Sequence, residues 1–205
     1  TVLRGGKATG EVDPARETNA SLSRLMIGAD TPQLEHRESR AGEVALLVHG
    51  LTLPKLSPFG TSLASVALEV RAGEILGVAG VSGNGQQELL AALSGEDRRS
   101  PQGSIVLFGC DVPRQDPRRR REAGLHFVPE ERLGRGAVPT LSLALNTLLT
   151  RTEAVRRGGW IDPRAVREMT DALIRRFKVK AGGPFAAAKS LSGGNLQKFI
   201  VGREI

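Results

Sequence analysis

A short apolar stretch that leads through a glycine-rich loop into a helical pattern is the feature that most constrains this chain. Residues 74–79 are mostly apolar, residues 80–85 contain three glycines, and residues 86–93 have apolar side chains at helical spacing. Strand, glycine loop and helix in this order let backbone N–H groups surround a phosphate at the positive end of a helix. We therefore predict a buried strand at residues 74–79 and a phosphate loop at residues 80–87, called the glycine loop below.

Two positions of the glycine loop depart from the residue types that phosphate chemistry requires. Gln86 stands where a lysine would be expected, and Gln87 stands where a serine or threonine would bind magnesium. A neutral amide can donate to a phosphate oxygen but cannot neutralise its charge. The interpretation is a phosphate loop without catalytic equipment, and the alternative is a tight turn without a ligand. The candidate binding residues are Gly80, Gly83, Asn84, Gly85, Gln86 and Gln87.

A second motif begins 106 residues after Gly85. Residues 191–198 read Leu-Ser-Gly-Gly-Asn-Leu-Gln-Lys and open an apolar-periodic segment. A hydroxyl, two glycines that let the backbone close on a phosphate, and the start of a helix are suited to anion recognition. A serine N-cap followed by glycines for a bend is the alternative. The candidate residues are Leu191, Ser192, Gly193, Gly194, Asn195 and Gln197.

With these two motifs the chain resembles the tandem-domain ATP-binding subunits of ribose-type sugar and nucleoside importers of the ABC class. In this family residues 191–198 would be the signature segment. Residues 127–132 resemble the second-domain version of the Q-loop region, and residues 141–146 and 159–162 resemble the helical subdomain that sits against the membrane partner. Trp160 belongs to that subdomain, and a local core anchor is the alternative interpretation. The Q-loop candidates are Pro129, Glu130, Glu131 and Arg132, where Glu131 replaces the usual aspartate.

The resemblance implies an α/β phosphate-loop NTPase fold of the ABC ATPase type, with a β-rich N-terminal part and an inserted helical subdomain at about residues 110–189. It assigns residues 1–28 to the end of a first ATP-binding domain, 29–42 to a linker, and 43–205 to a second domain that stops after the signature helix. The magnesium-binding aspartate, catalytic glutamate and switch histidine would follow Ile205. None of the three histidines, His36, His49 and His126, matches the switch position. Phe59 is the closest candidate for stacking on adenine, with a loop phenylalanine as the alternative.

The implied function is energy coupling, in which ATP binding joins two such domains and hydrolysis separates them to import a nucleoside or simple sugar. Each ATP would lie between one domain's phosphate loop and the other domain's signature. This chain would supply a degenerate loop to one site and an intact signature to the partner site, and alone it would be inactive. The implied cofactors are ATP and Mg²⁺, the latter mainly at the partner site, with no catalytic residue and no metal site here. The implied partners are a second ATP-binding domain or subunit, transmembrane permease subunits and, indirectly, an extracytoplasmic solute-binding protein, at the cytoplasmic face of the plasma membrane.

Composition raises two alternative functions. A net charge of +7 with four consecutive arginines at residues 118–121 suggests a nucleic-acid-binding module. However, the chain has no tyrosine and one tryptophan, so aromatic platforms for stacked bases are scarce. We therefore predict no nucleic-acid partner and interpret the arginines as a solvated helical face. A soluble ABC-type ATPase acting on ribosomes or DNA is the other alternative, although such proteins normally need competent loops. A single cysteine, Cys110, suits a reducing cytosol.

Local patterns predict the remaining elements. Gly5 and Gly6 predict a hairpin, and Gly28 predicts the end of a helix over residues 21–27. Strands are predicted at residues 44–48, 66–71, 104–108 and 125–128, helices at 86–93, 141–149, 163–177 and from 191 onward, and loops at 156–159 and 181–184.

Overall fold

The computed structural model describes residues 1–4, 6–28, 41–151, 156–157 and 160–205, with only the backbone described at 156–157. The chain divides into two compact units, Thr1–Arg40 and Ala41–Ile205. Of the predicted linker at residues 29–42, all but the last two residues lie outside the described residues, as does His36.

The first unit contains a β-hairpin and a helix. Strand β1 (Val2–Arg4) pairs antiparallel with β2 (Lys7–Gly10), and Gly6 in the turn has a φ of 79°. Helix α1 (Asn19–Ile27) ends at Gly28, whose φ of 82° is the left-handed conformation that glycine adopts without strain. The predicted hairpin, helix and stop residue are confirmed.

The second unit opens with an antiparallel sheet. Strands β3 (Val44–Leu53), β4 (Leu63–Arg71), β5 (Ile105–Leu107) and β6 (Cys110–Asp111) lie in the order β4-β3-β5-β6. The first of the unit's helices, α2 (Gln86–Ser94), packs against this sheet. Strand and helix side chains together form the first apolar core, which consists of Val48, Leu51, Leu53, Leu63, Leu89, Ala92, Ile105, Leu107 and Val112.

The C-terminal part of the second unit is mainly helical. It contains α3 (Pro117–Glu122), α4 (Leu143–Leu148), α5 (Pro163–Arg176) and α6 (Gly193–Glu204). The first three begin after a side chain that caps the helix by accepting from a backbone N–H, as is usual for Asp and Ser. The second core is formed by α4, α5, α6 and the segments between them, and consists of Ala137, Leu143, Leu173, Val179, Ala188, Leu196, Phe199 and Ile200.

Most predicted elements are confirmed, but two predicted strands are wrong. Residues 74–79 and 125–128 form no strand, and neither segment belongs to a sheet among the described residues. In the first of them, Ile75 is 97% exposed and Val78 is 60% exposed. An apolar run indicates only that a segment can be buried, whereas a strand also requires a neighbouring strand that supplies hydrogen bonds.

Three further expectations are corrected. Arg156–Arg157 was predicted as loop but forms strand β7, which pairs with β8 (Trp160–Ile161). Trp160 is exposed, so the interpretation as a core anchor is wrong. Arg120 is fully buried. Its guanidinium donates to the carbonyl oxygens of Ala92 and Leu93 at the end of α2, which offsets part of the cost of burying the charge. The arginine run is therefore only in part a solvated face, and burial lowers the pKa of Arg120.

Candidate functional site

The glycine loop forms the predicted turn into a helix. Helix α2 begins at Gln86, directly after Gly85, which has a φ of 103°, and Gly83 has a φ of 90°. Both values lie in the left-handed region, where a side chain would be strained. A Cβ at Gly85 would also approach Leu63 Cδ2 to 3.2 Å. Glycine at these two positions therefore allows a tight turn directly into α2, although no strand leads directly into the loop.

The side chain of Gln86 folds back into the glycine loop. Its Nε2 donates to the carbonyl oxygen of Val81 at 3.0 Å, and its Oε1 accepts from the N–H of Asn84 at 3.1 Å. A Cβ built on Gly80 would lie only 2.8 Å from Gln86 Nε2. The carboxamide thus engages a backbone N–H of the loop, and the loop satisfies part of its own hydrogen-bonding capacity.

Two residues outside the glycine loop, neither of them a candidate from the sequence, form hydrogen bonds that support it. Thr61 Oγ1 donates to the carbonyl oxygen of Gly83 at 2.7 Å, and the N–H of Thr61 donates to Glu88 Oε1 at 3.0 Å. Glu88 lies in the first turn of α2, where an acidic side chain is favoured, and this was the available sequence signal. Phe59, the candidate for adenine stacking, is two residues before Thr61 and is 100% exposed.

Gln87, the position of the glycine loop at which a magnesium hydroxyl would be expected, does not fit the ion. Gln87 is exposed but offers only a neutral amide, and the Glu88 carboxylate already accepts from Thr61. Mg²⁺ prefers carboxylate, hydroxyl and water oxygens. Among the described residues, no group of three or more His, Cys, Asp and Glu side chains is placed to hold a metal ion.

The signature segment presents its polar groups differently. Helix α6 begins at Gly193, but the Ser192 side chain makes no capping hydrogen bond to the helix. Ser192 therefore occupies the N-cap position, as the alternative interpretation has it, but its side chain does not cap the helix. Its Oγ instead accepts from Asn195 Nδ2 at 2.9 Å. Ser192, Gly193 and Gly194 are all exposed, and a Cβ at Gly194 would meet nothing within 4 Å.

Of the four Q-loop candidates, Arg132 is the one whose side chain is hydrogen-bonded to the signature segment. Its Nη1 donates to the carbonyl oxygen of Gly193 at 3.3 Å, across 61 residues of sequence. A Cβ on Gly193 would lie 3.1 Å from the same nitrogen. Pro129 is buried, while Glu130 and Glu131 are exposed. The arginine adds a positive charge beside the exposed hydroxyl and backbone of the signature segment.

The turn that carries Arg132 is also attached to the middle and the end of α6. Gly136 packs against Ile200, where a Cβ would come within 3.0 Å of Ile200 Cδ1, and its carbonyl oxygen accepts from Arg203 Nη2 at 2.9 Å. The turn itself is closed by the N–H of Gly136, which donates to the carbonyl oxygen of Glu131 at 2.9 Å. Helix α6 and this turn are therefore joined along most of the helix length.

A buried ionic network at the end of α6 was not found from the sequence. Arg203 Nε donates to Glu204 Oε1 at 3.0 Å, and Arg203 Nη1 donates to the backbone oxygen of Asn146 at 3.1 Å. Glu204, which is 1% exposed, also accepts from Arg121 Nη2 at 3.2 Å, and His126 Nδ1 lies 3.8 Å from its Oε2. Burial lowers the pKa of Arg203, and the adjacent Glu204 opposes that shift. No periodicity in the sequence signals charges inside a core.

Residues 63–205 match the ABC transporter family model. The chain is 37% identical over 204 residues to the ribose import ATP-binding protein RbsA 1 of Streptomyces avermitilis, covering 99% of this chain and 38% of that protein. It is 36% identical to the nucleoside import ATP-binding protein NupA of Lactococcus lactis, covering 100% and 41%, and 34% identical to the guanosine import ATP-binding protein NupO of Bacillus subtilis, covering 100% and 40%.

These three relatives are longer than the chain, which spans about two fifths of their length. Among solved structures, the dimeric ABC transporter cassette MJ0796 has a TM-score of 0.60 at 18% identity, covering 78% of this chain and 68% of that one. The ATP-binding cassette MJ1267 has a TM-score of 0.58 at 16% identity, covering 78% and 64%. In the described part of the chain, no helix combines the length and apolarity needed to cross a bilayer.

Proposed function

The chain belongs to the ABC transporter family, and from this membership we propose that it forms part of the ATP-binding, energy-coupling component of an importer for nucleosides or simple sugars. The family match covers residues 63–205 and confirms the resemblance found in the sequence. The likeness to two solved ABC cassettes confirms the predicted α/β fold class. The substrate class is proposed from the three relatives, which are ribose, nucleoside and guanosine import ATP-binding proteins.

The observation that carries the proposal is the exposed, outward-facing signature segment. The carbonyl oxygen of Gly193 accepts from the guanidinium of Arg132, and the hydroxyl of the preceding Ser192 does not cap α6. Hydroxyl, backbone and guanidinium together suit the terminal phosphate of an ATP held by another domain. We place this ATP in the competent phosphate loop of a second ATP-binding domain or subunit, with Mg²⁺ at that partner site.

The glycine loop is proposed to contribute to the other nucleotide site only weakly. Gln86 already uses the Asn84 N–H, and it brings no positive charge to a phosphate. Phe59 is proposed to face the adenine of that site, because Thr61, two residues later, is bonded to the loop. Without a lysine and a magnesium ligand, this half would hydrolyse no ATP by itself.

The domain boundaries, the partners and the location of the protein are proposed from the same family membership. Residues 1–28 would end a first ATP-binding domain, and residues 43–205 would belong to a second. The protein would associate with transmembrane permease subunits at the cytoplasmic face of the plasma membrane, and a solute-binding protein would deliver the substrate from outside.

Reconstitution of the full-length protein with its permease in liposomes tests the function. We expect ATP-dependent uptake of a nucleoside or simple sugar, and we expect Ser192→Ala to lower ATP turnover about 100-fold, as when a preorganised donor to developing charge is removed. The isolated 205-residue chain should show no turnover above a buffer blank after repurification. Turnover that is unchanged in Ser192→Ala would contradict the role of the signature segment. Retention of the protein on RNA or DNA at physiological salt, instead of cosedimentation with permease membranes, would favour a nucleic-acid function.

A further inference from the structure

A short series of hydrogen bonds leads from the end of helix α5 to the signature serine. The backbone N–H of Lys180 donates to Asn195 Oδ1 at 2.9 Å, and Asn195 Nδ2 donates to Ser192 Oγ at 2.9 Å. Asn195 lies in the first turn of α6 and is half-buried, while Ser192 is exposed. The asparagine therefore connects a fixed point of the backbone to the hydroxyl that the proposed function assigns to phosphate binding.

The direction of both hydrogen bonds is determined by the chemistry of the groups. A backbone N–H can only donate, so the Asn195 atom that faces Lys180 must be the amide oxygen. The amide nitrogen then faces Ser192, and because it has no lone pair to offer, Ser192 Oγ must accept. Among the described residues, Ser192 Oγ accepts from Asn195 Nδ2 and forms no hydrogen bond in which it donates. That hydrogen is free to be directed at an incoming anion.

The starting point of the series is held by the second apolar core. Val179, directly before Lys180, is 6% exposed and packs in that core with Leu196 and Phe199 of α6. Its N–H donates to the carbonyl oxygen of Ile174 in α5 at 2.9 Å. The Lys180 N–H therefore cannot reorient without disturbing packed residues on both helices.

We propose that Asn195 is a positioning residue that fixes Ser192 as a hydrogen-bond donor toward the terminal phosphate of the partner-site ATP. The inference rests on the proposed function, because it requires the signature segment to meet that phosphate. A hydroxyl that is already oriented as a donor needs no rearrangement when negative charge develops on the phosphate. Asn195 does not touch the nucleotide and acts only through Ser192.

A double-mutant cycle on ATP turnover of the full-length reconstituted importer tests this. Ser192→Ala is expected to lower kcat about 100-fold, and Asn195→Ala about tenfold, the effect of losing one orienting hydrogen bond. In the Ser192→Ala background, Asn195→Ala should change kcat less than about twofold, because the hydroxyl that it orients is gone. Ser190→Ala is the matched control, since its hydroxyl donates to the carbonyl oxygen of Ala187 at 2.7 Å and not to Ser192 or Asn195.

Asn195→Asp provides a second, nearly isosteric test. A carboxylate can still accept from the Lys180 N–H but cannot donate to Ser192, so the serine hydrogen would turn toward Asp and away from the phosphate. We expect kcat to fall further than in Asn195→Ala, and the part of this loss that disappears in the Ser192→Ala background measures the reversed hydroxyl. Thermal unfolding midpoints of all variants check that the fold is retained.

The outcomes distinguish a failure of the role inferred for Asn195 from a failure of the proposed function of the signature segment. If Asn195→Ala lowers kcat by the same factor with and without the Ser192 hydroxyl, Asn195 is only structural and the inference is wrong. If Ser192→Ala itself has no effect, the proposed function of the signature segment fails first. Loss of kcat in Asn195→Ala that depends on Ser192 supports both.

Discussion

The glycine loop and the signature segment both lead into a helix through glycines, yet their polar side chains find different partners. In the glycine loop, Gln86 folds inward and bonds to Val81 and Asn84 of the same loop. In the signature segment, the supporting bonds come from elsewhere, from Arg132 and from Lys180 through Asn195, and they leave the Ser192 hydrogen unused. A segment of this kind can bind a phosphate only through donors that the protein does not already satisfy.

The largest expected effect is at the signature segment. Gly193→Asp places a carboxylate against the proposed phosphate and beside Arg132, whose Nη1 would lie 3.1 Å from the new Cβ. We expect ATP turnover and solute uptake of the reconstituted importer to fall about 1000-fold or more, because a like charge replaces an electrostatic contact.

Gly193→Asn is the matched control for this change, since it adds the same bulk without the charge. It should retain more turnover than Gly193→Asp. Equal loss in the two variants would mean that space, not charge, is what the signature segment requires.

The next largest effect is expected at the buried hydrogen bonds and ion pair of Arg203, at the end of α6. Arg203→Met removes the cation beside Glu204, which is 1% exposed, and leaves the carbonyl oxygens of Gly136 and Asn146 without this donor. We expect the free energy of unfolding to fall by about 3 kcal/mol, as when one partner of a buried ion pair is lost. Arg118→Met, which removes an exposed pair with Glu122, should cost less than about 0.5 kcal/mol. Denaturant unfolding measures the free energy of unfolding of both variants. Equal losses in the two would contradict a stabilising role for the buried interactions of Arg203.

A smaller effect is expected from repairing the glycine loop. Gln86→Lys combined with Gln87→Ser removes the carboxamide that binds Asn84 and restores a charge and a hydroxyl. Nucleotide affinity should increase about 10- to 100-fold, the contribution of charge-assisted hydrogen bonds, without creating hydrolysis. Titration calorimetry with ATP, and Gln87→Ser alone as control, test this. Unchanged affinity would mean that the glycine loop is a turn and not a phosphate site.

The smallest effect should come from Gln86→Ala in the full-length importer. The site to which this loop contributes is proposed to lack turnover, so the rate should change less than about threefold, as for a substitution away from the reacting groups. ATP turnover compared directly with Gly193→Asp decides the assignment. If Gln86→Ala is the more damaging change while both variants fold and assemble, the roles of the two segments are reversed.

The sequence by itself determined the helices and the phosphate-type motifs, because their signals are local. Capping residues such as Ser142, Asp162 and Gly28 act within one or two turns, and the glycines at 83 and 85 mark backbone conformations that only nearby residues influence. The family resemblance rests on the same short motifs, and the family match over residues 63–205 confirms it.

Only the tertiary structure decided which groups meet across long stretches of chain. The apolar segments at 74–79 and 125–128 did not become strands, because pairing requires a partner that a local pattern does not identify. The burial of Arg120 and Arg203, and the contacts of Arg132 with Gly193 and of Lys180 with Asn195, join residues 15 to 67 positions apart. Hydrogen bonds and ion pairs of this kind depend on distance in space, and that distance is determined by packing around the two apolar cores.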